Sequence, residues 1–237
     1  MPRIIGLWAP MSAGKSTVAS LLVERHDFVE FSFAGPLKSL AKDIFAFDDS
    51  VLYGPSSSRN AVDSRGAYSA YWDQVWDRAF QEHWYRVVEL FDSELYRSQF
   101  GKPFSEIRTG LNNVLRNLKA LRTDFTPRAA LQQLGTDFGR AIWDQVWVQA
   151  AMRSIDESGA KRVVFSDARF PNEAQPIIAR GGDVWWIDSS KRVPRSPFRH
   201  ASESTYEEAA PYVTHILDNN GTTADLAERV AVMIADP

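Results

Sequence analysis

Residues 13–17, Ala-Gly-Lys-Ser-Thr, follow an apolar run near the start of the chain and open a helical pattern. A small-residue turn between a strand and a helix binds phosphate, because the first backbone N–H groups of the helix point at the anion. In such a loop the Lys15 ammonium reaches the outer phosphates and the Ser16 hydroxyl can bind Mg²⁺. The usual pattern has glycine where this chain has Ala9, so the loop must begin without a positive φ there. An ordinary strand–helix turn is the alternative, but the position of the motif favours nucleotide binding.

The elements that position this motif are five short apolar runs separated by helical patterns, which predict a parallel sheet with crossover helices. The predicted strands are Arg3–Trp8, Phe28–Phe33, Arg162–Ser166, Asp183–Ile187 and Val213–Leu217. Ligands of such a sheet bind beyond the carboxyl ends of its strands. The polar segments at those ends are the loop before Lys15, Ala34–Lys38, Asp167–Arg169, Ser189–Glu203 and Asp218–Gly221.

Asp167 and Arg169 follow the third predicted strand. A carboxylate at this point can hold Mg²⁺ through its water shell, although a turn or a helix cap before Pro171 is the alternative. The Arg169 guanidinium would face the same crevice, where its fork can bind two phosphate oxygens; a plain ion pair is the alternative. The nearby phosphate-binding motif favours the metal and phosphate roles.

A mostly helical segment, roughly 36–160, separates the second and third strands. From Tyr68 to Phe100 large apolar residues recur at three- and four-residue steps, which predicts an amphipathic helix with at most one break. Its aromatic side chains could stack on bases, but such regular spacing favours a core face. A second helix is predicted around Ile107–Leu121 and a third from Thr126, which would cap it. The run Tyr53–Ser58 predicts a mobile loop.

Arg192, Arg195 and Arg199 lie in a stretch with proline and serine after the fourth strand, within residues 189–203. Charged loops of this kind are often plain solvated surface. The other interpretation is a lid that folds arginine side chains over phosphates and excludes water. Because the stretch should lie above the phosphate-binding loop, we expect a lid.

Composition excludes several classes of protein. The chain has 237 residues, a formal net charge of −3 and no cysteine. The acidic balance argues against general duplex-DNA binding, and the lack of cysteine excludes disulfides, a thiol nucleophile and thiolate zinc sites. No apolar run approaches the length of a membrane span and no signal peptide opens the chain, so we expect a cytoplasmic protein without membrane or stable nucleic-acid contact.

Taken together, the motifs resemble the bacteriophage deoxynucleoside monophosphate kinases, a P-loop kinase family. The segments that carry the resemblance are Ile4–Thr17, Phe31–Lys38, Leu52–Gly54, Thr126–Arg128, Leu131–Asp137, Gly139–Arg140, Trp147, Ser166–Ala174, Gly181–Gly182, His200–Glu203 and Asn219–Gly221. Only the phosphate loop and the 167–174 block are specific alone, and the order and spacing of the whole set strengthen the assignment. Residues of about 56–106 match nothing in the family pattern.

The resemblance implies a P-loop kinase-like α/β fold, with a parallel five-stranded sheet flanked by helices. Residues 1–237 would form one kinase domain, with a helical monophosphate-binding insertion at 36–160 and a lid at 189–203. The implied reaction transfers the γ-phosphoryl group of ATP, with Mg²⁺, to a 2′-deoxynucleoside 5′-monophosphate in the cytoplasm of an infected bacterium. Acceptance of a modified pyrimidine and assembly into a homodimer stay open.

The resemblance also implies roles for single residues. The ATP phosphates would bind to Ala13, Gly14, Lys15, Ser16 and Thr17, and the adenine would pass Asn219 and Gly221. The monophosphate site would include Lys38, Arg128, Gln132 and Trp147. The acceptor phosphate and the transferring group would be gripped by Arg140 and Arg169, and Mg²⁺ would be held by Ser16 and Asp167. An aromatic face tolerates many bases whereas hydrogen bonds discriminate, so we expect Trp147 to stack on the base and Gln132 to select it.

Two other functions stay open at this point. The nearer one is a P-loop kinase with another acceptor, either dephospho-coenzyme A or a hydroxymethylated base in DNA. The farther one is a nucleotide-binding ATPase that is not a kinase. Motor ATPases usually carry a glutamate beside the strand-end aspartate, where it activates water. This chain has Ala168 at that position, which disfavours ATP hydrolysis as its function.

Overall fold

The computed structural model of the protein describes residues 2–10, 12–92, 94–99, 104–191 and 206–235. Within these ranges one sheet is formed by β1 (Arg3–Trp8), β2 (Val29–Phe31), β3 (Arg162–Ala168), β4 (Asp183–Asp188) and β5 (His215–Asp218). The strand order is β2-β3-β1-β4-β5, and every neighbouring pair is parallel. The predicted parallel five-stranded α/β sheet is confirmed.

Helices make up most of the rest of the described chain. The α-helices are α1 (Lys15–His26), α2 (Gly35–Phe45), α3 (Asp49–Leu52), α4 (Ser56–Asn60), α5 (Ser69–Asp77), α6 (Trp84–Leu90), α7 (Glu94–Gln99), α8 (Phe104–Ala120), α9 (Pro127–Gln132), α10 (Val146–Ser158), α11 (Pro171–Ala179), α12 (Tyr206–Ala209) and α13 (Thr223–Ala235). Two π-helices span Arg78–Glu82 and Gln133–Arg140. None of the helices in the described ranges has the length and apolar character needed to cross a bilayer.

The chain divides into two compact units. Residues 1–33 and 151–237 form the sheet unit, which contains all five strands. Residues 34–150 form the helical unit. The assignment of residues 36–160 as a substrate-binding insertion stays a prediction.

In the sheet unit, helices cover both faces of the sheet. Ile5 on β1 is fully buried and packs in one cluster with Val18 of α1 and Val230 of α13. Side chains alternate along a strand, so the next residue, Gly6, belongs to the other face. A Cβ at Gly6 would lie 2.6 Å from Ile177 Cδ1, which shows how closely α11 packs there. The two faces of the sheet are therefore packed against helices, and the loops that follow β1 and β3 lie at the carboxyl ends of neighbouring strands.

The core of the helical unit is rich in aromatic side chains. Trp72 is 1% exposed, packs against Phe125 and donates its ring N–H to the Gly66 carbonyl at 2.8 Å. Tyr71 is also buried; its hydroxyl donates to the Phe45 carbonyl, and burial raises the pKa of that hydroxyl. The prediction that the regularly spaced aromatic residues form a core face is confirmed for these side chains.

Two local predictions differ from the structure. The helix expected over Tyr68–Phe100, with at most one break, is divided further: a π-helix follows α5, α6 begins at Trp84 and α7 begins at Glu94. At the break before α6 the His83 N–H donates to the Arg78 carbonyl, five residues back. The loop expected over Tyr53–Ser58 is partly helical, since α4 starts inside it and Arg59 donates to the carbonyls just before.

Candidate active site

The phosphate-binding loop follows β1 and leads into α1, which begins at Lys15. Gly14 is the N-cap of α1 with φ 100° and ψ 17°, and no side chain caps the helix. The Val18 N–H donates to the Gly14 carbonyl at 3.0 Å. The N–H groups of residues 15–17 precede this bond and have no acceptor inside the helix. The start of α1 therefore presents donors to an anion, and Ala9 is not among the described residues with a positive φ.

Lys15 lies against the entry of this loop. Its Nζ donates to the Ala9 carbonyl at 2.5 Å and to the Pro10 carbonyl at 3.1 Å. Burial and the positive charge of Arg169 lower the pKa of Lys15 to about 8, although the negative charge of Asp167 opposes the shift. The structure thus brings these three predicted site residues within electrostatic reach of one another.

Asp167 lies at the end of β3, beside the end of β1, where Trp8 pairs with Ala168. One carboxylate oxygen accepts from the Ser32 hydroxyl at 2.6 Å, and the other accepts from the Phe33 N–H at 2.9 Å. These two bonds orient the carboxylate at the end of the strand, and a carboxylate oxygen is an acceptor that suits the water shell of Mg²⁺. The side chain is held by the segment after β2 and does not cap a helix.

Glu173 fixes the turn that carries Arg169. It is only 4% exposed, and its carboxylate accepts from the N–H groups of Arg169 at 2.8 Å and Phe170 at 3.2 Å. The Arg169 side chain itself is exposed. Neither Glu173 nor Ser32 has a predicted role. A glutamate three residues after the N-cap of α11 was the available signal, because that spacing is typical of a capping box.

The donor set fits Mg²⁺ bound together with phosphates. In the described ranges no group of three or more His, Cys, Asp or Glu side chains could form a metal cage. Mg²⁺ in phosphate-transfer sites needs no such cage, because one or two protein oxygens, substrate phosphates and water complete its coordination. Ser16, exposed in the first turn of α1, and the oriented carboxylate of Asp167 match that requirement.

Asn219 follows β5 and reaches the phosphate-binding loop. Its side chain is 4% exposed, and Nδ2 donates to the Ala13 carbonyl at 2.9 Å. Gly221 lies close to Asp225, which accepts from the Thr222 N–H at the start of α13. The adenine contact expected for Asn219 and Gly221 stays a prediction, and the contact of Asn219 with the loop was not expected.

Within the helical unit, Lys38 on α2 and Arg128 on α9 contact the same short segment. Lys38 Nζ lies 4.7 Å from the centre of the Tyr53 ring, and Arg128 Nε donates to the Asn60 side chain. Gln132 lies one helical turn after Arg128, and both are exposed. These side chains form a polar, basic surface of the unit. Tyr53 and Asn60 belong to it as well, although no motif in the sequence predicts them there.

Trp147 has a packing role. The residue is 3% exposed, and its ring N–H donates to the Gly135 carbonyl at 2.9 Å. A Cβ at Gly139 would lie 2.5 Å from the Trp147 ring, so the indole lies directly against the second π-helix. This burial argues against the predicted stacking of a base on Trp147. The indole instead fixes the π-helix that ends at Arg140, a residue with an exposed side chain.

The predicted lid lies almost entirely outside the described residues. Arg192, Arg195 and Arg199 are all beyond the described range that ends at 191. The last described part of that stretch is anchored, because the Lys191 N–H donates to the Asn220 side chain at 2.8 Å. The lid stays a prediction.

Comparison with known proteins gives two relatives. A protein of Acanthamoeba polyphaga mimivirus, provisionally named a deoxynucleotide monophosphate kinase, is 40% identical over 200 residues, which cover 78% of this chain and 73% of that protein. The deoxynucleoside-5′-monophosphate kinase of Escherichia phage T5 is 24% identical over 241 residues, which cover 92% of this chain and 90% of that protein. No protein-family model matches the chain.

Proposed function

The chain belongs to the deoxynucleoside monophosphate kinase family, and we propose that it transfers the γ-phosphoryl group of ATP to 2′-deoxynucleoside 5′-monophosphates. The observation that carries this proposal is the arrangement at the carboxyl end of the sheet. An uncapped helix N-terminus, the Lys15 ammonium, the Asp167 carboxylate and the Arg169 guanidinium occur together there. We also propose the cytoplasm of an infected host cell as its compartment, on the strength of the phage relative.

In phosphoryl transfer a protein mainly positions the two substrates and neutralises the charge of their phosphates, and it does little covalent chemistry. An oxygen of the acceptor monophosphate attacks the γ-phosphorus of ATP, and the bond from that phosphorus to the bridging oxygen breaks, leaving ADP. The N–H groups at the start of α1 bind donor phosphate oxygens, and the Lys15 ammonium neutralises charge on the outer phosphates. No side chain has to form a bond to the transferred group.

Ser16 and Asp167 are the residues that would hold Mg²⁺, Ser16 through its hydroxyl and Asp167 through metal-bound water. When bound, the ion supplies charge neutralisation on the donor phosphates. The Ser32 hydroxyl and the Phe33 N–H hold the Asp167 carboxylate in one orientation. Arg169 is exposed on the turn fixed by Glu173, where its fork can bind phosphate oxygens during transfer.

In this proposal residues 36–160 are the substrate-binding insertion. The acceptor binds to the part of the insertion that lies in the helical unit. Lys38, Arg128 and Arg140 supply the positive charge that a monophosphate requires. The exposed amide of Gln132, one turn from Arg128, can donate to and accept from the edge of a base. The packing of Trp147 against the π-helix supports the position of Arg140.

A transfer assay with γ-labelled ATP tests the proposal. The wild-type protein is given dTMP, dCMP, dGMP or dAMP, and separately dephospho-coenzyme A, hydroxymethylated DNA, or no acceptor. We expect labelled deoxynucleoside diphosphate with at least one of the four monophosphates. Label in coenzyme A or DNA alone would assign another acceptor, and release of labelled phosphate without transfer would make the protein an ATPase.

Lys15→Met separates this site from a contaminating kinase. Removing one preorganised cationic donor should lower turnover about 100-fold or more. Lys42→Met is the matched control, because Lys42 is exposed, lies in the helical unit and pairs with Asp49. Equal activity of the two variants would remove the phosphate-binding loop from the mechanism.

A further inference from the structure

The side chain of Asn219 is a buried amide with its donor directed at the phosphate-binding loop. Among the described residues only Glu173, Ser189 and Asn219 are buried with polar or charged side chains. The Asn219 side chain donates to the Ala13 carbonyl at 2.9 Å, and the backbone N–H of Asn219 donates to the Asp188 carbonyl at 2.7 Å. One residue therefore connects the ends of β4 and β5 to the loop that follows β1.

The direction of the Ala13 carbonyl determines the direction of the next N–H. The peptide between Ala13 and Gly14 is planar and, like every peptide of the described residues, trans. In a trans peptide the carbonyl and the N–H point in opposite directions. Since the carbonyl is turned toward Asn219, the Gly14 N–H points away from Asn219 and is oriented to donate to an anion.

Gly14 makes this contact sterically feasible. A Cβ at this position would lie 2.3 Å from Asn219 Nδ2. Gly14 is therefore required twice, for its φ of 100° and for the close approach of the amide. The fit of the amide against the glycine leaves little room for another loop conformation.

The segment that carries Asn219 is itself fixed at the sheet edge. The Asn220 side chain donates to the Asp218 carboxylate at 2.7 Å, and Arg229 of α13 donates to the Asp218 carbonyl at 2.6 Å. The position of the Asn219 amide is thus set by protein contacts and needs no bound nucleotide.

We propose that Asn219 is a positioning residue that fixes the conformation of the phosphate-binding loop and thereby its affinity for the polyphosphate part of ATP. The proposal rests on the proposed function and differs from the adenine contact expected from the sequence. Without the amide, the peptide between Ala13 and Gly14 is free to rotate, and a carbonyl oxygen turned toward the phosphates would repel them.

Binding of ATP and of inorganic tripolyphosphate distinguishes the two roles, because tripolyphosphate has the phosphates and no base. Asn219→Ala should weaken both ligands by the same factor, about five- to tenfold, as the loss of one hydrogen bond predicts. Titration calorimetry measures both affinities without an acceptor. The matched control is Asn113→Ala, on an exposed position of α8.

Weaker binding of ATP with unchanged binding of tripolyphosphate would overturn the proposal and make Asn219 an adenine contact. Unchanged binding of both ligands would overturn it as well. Asn219→Leu, which is uncharged, keeps about the size of the side chain and loses the donor, serves if the alanine variant does not fold, and the same two affinities decide. Steady-state kinetics should then show a higher KM for ATP and an unchanged KM for the monophosphate.

These outcomes are independent of the transfer assay. If the wild-type protein phosphorylates no deoxynucleoside monophosphate but the variants lose tripolyphosphate affinity, the proposed function fails and the role of Asn219 stands. If transfer occurs and tripolyphosphate affinity is unchanged in the variants, only the role of Asn219 fails.

Discussion

Lys15 is a cation in surroundings that disfavour its charge. Burial and the neighbouring Arg169 both act to lower its pKa, which is about 8. Phosphate oxygens have the opposite effect, because a negative charge within a few ångströms favours the ammonium form. The residue therefore gains most from its charge when an anion is present, which is the behaviour expected of a phosphate receptor.

The affinity for ATP should fall as the pH rises through about 8. In the free protein Lys15 loses its proton as the pH rises through about 8. Bound phosphates raise the pKa of Lys15, so ATP binding above pH 8 requires uptake of a proton. Below it both states are protonated, and this residue contributes no pH dependence. We expect ATP to bind about tenfold more weakly at pH 9 than at pH 7. Titration calorimetry measures this affinity, and at alkaline pH it should also show that a proton is taken up on binding.

Lys15→Arg is the control, since a guanidinium keeps its charge throughout this range. The variant should show a flat dependence of ATP affinity on pH, whatever its absolute affinity. A slope equal to that of the wild-type protein would mean that another group titrates.

Asp167 and Arg169 should fail in different ways when replaced. Asp167→Asn should shift the dependence of turnover on Mg²⁺ to about tenfold higher concentration, while the fold tolerates the change because the Ser32 hydroxyl can also accept. Arg169→Ala should lower turnover about 100-fold with an ordinary dependence on Mg²⁺. Turnover measured over a range of Mg²⁺ concentrations separates the two.

Asp77→Asn, at an exposed position of α5, is the control for the loss of one negative charge. Normal kinetics with only a lower melting temperature in both site variants would assign Asp167 and Arg169 to structure alone.

At the scale of elements, the second π-helix is the most unusual feature of the helical unit. It spans Gln133–Arg140 directly after α9, and π-helical turns are frequent at functional sites. Trp147 binds it twice, through the Gly135 carbonyl and by packing on Gly139. The indole thus holds a segment that begins next to Gln132 and ends at Arg140, both assigned to the acceptor.

Gly139→Ala should destabilise this element. The added Cβ would lie 2.5 Å from the Trp147 ring, and such overpacking costs about 1–3 kcal/mol. Urea unfolding measures the loss of stability, and a higher KM for the monophosphate should accompany it. Gly110→Ala in α8 is the control: its Cβ would lie 3.2 Å from the flexible end of Ile142 and 3.4 Å from the Phe138 ring, both longer than the 2.5 Å at Gly139, and helix propensity favours alanine there. Equal losses in the two variants would show that the indole contact is unimportant.

At the scale of the whole molecule, the proposed roles divide between the two units. The residues assigned to ATP lie in the sheet unit, and Lys38, Arg128, Gln132 and Arg140 lie in the helical unit. Binding of the two substrates should therefore respond separately to substitution.

Arg128→Ala should raise the KM for every accepted monophosphate at least about tenfold and leave the KM for ATP unchanged, since a charge-assisted contact is lost. Gln132→Ala should change the ranking among dTMP, dCMP, dGMP and dAMP. Steady-state kinetics on all four acceptors measures both effects, with Arg116→Ala on the exposed face of α8 as control. Unchanged acceptor kinetics in both variants would place the acceptor site on other residues.

The sequence by itself determined the features that depend on neighbouring residues. Hydrophobic runs located all five strands, and β1 (Arg3–Trp8) has the predicted bounds. Thr126 caps α9 as expected, accepting from the Ala129 N–H. The phosphate-binding turn could be recognised from the sequence because its glycine, lysine and serine are consecutive residues and act at one place in the backbone.

Tertiary structure decided the contacts between distant parts of the chain. Asp167 is held by Ser32, 135 positions away, and Asn219 holds Ala13, 206 positions away. The first pair meets because β2 and β3 are neighbours in the order β2-β3-β1-β4-β5. The second pair meets because Asn219, after β5, binds the end of β4 and reaches the loop after β1. The burial of Trp147 also depends on a distant contact. Its indole occupies the space that a side chain at position 139 would fill, and Gly139 has none. Local periodicity contains neither strand order nor packing space, and for that reason these roles appear only in the folded chain.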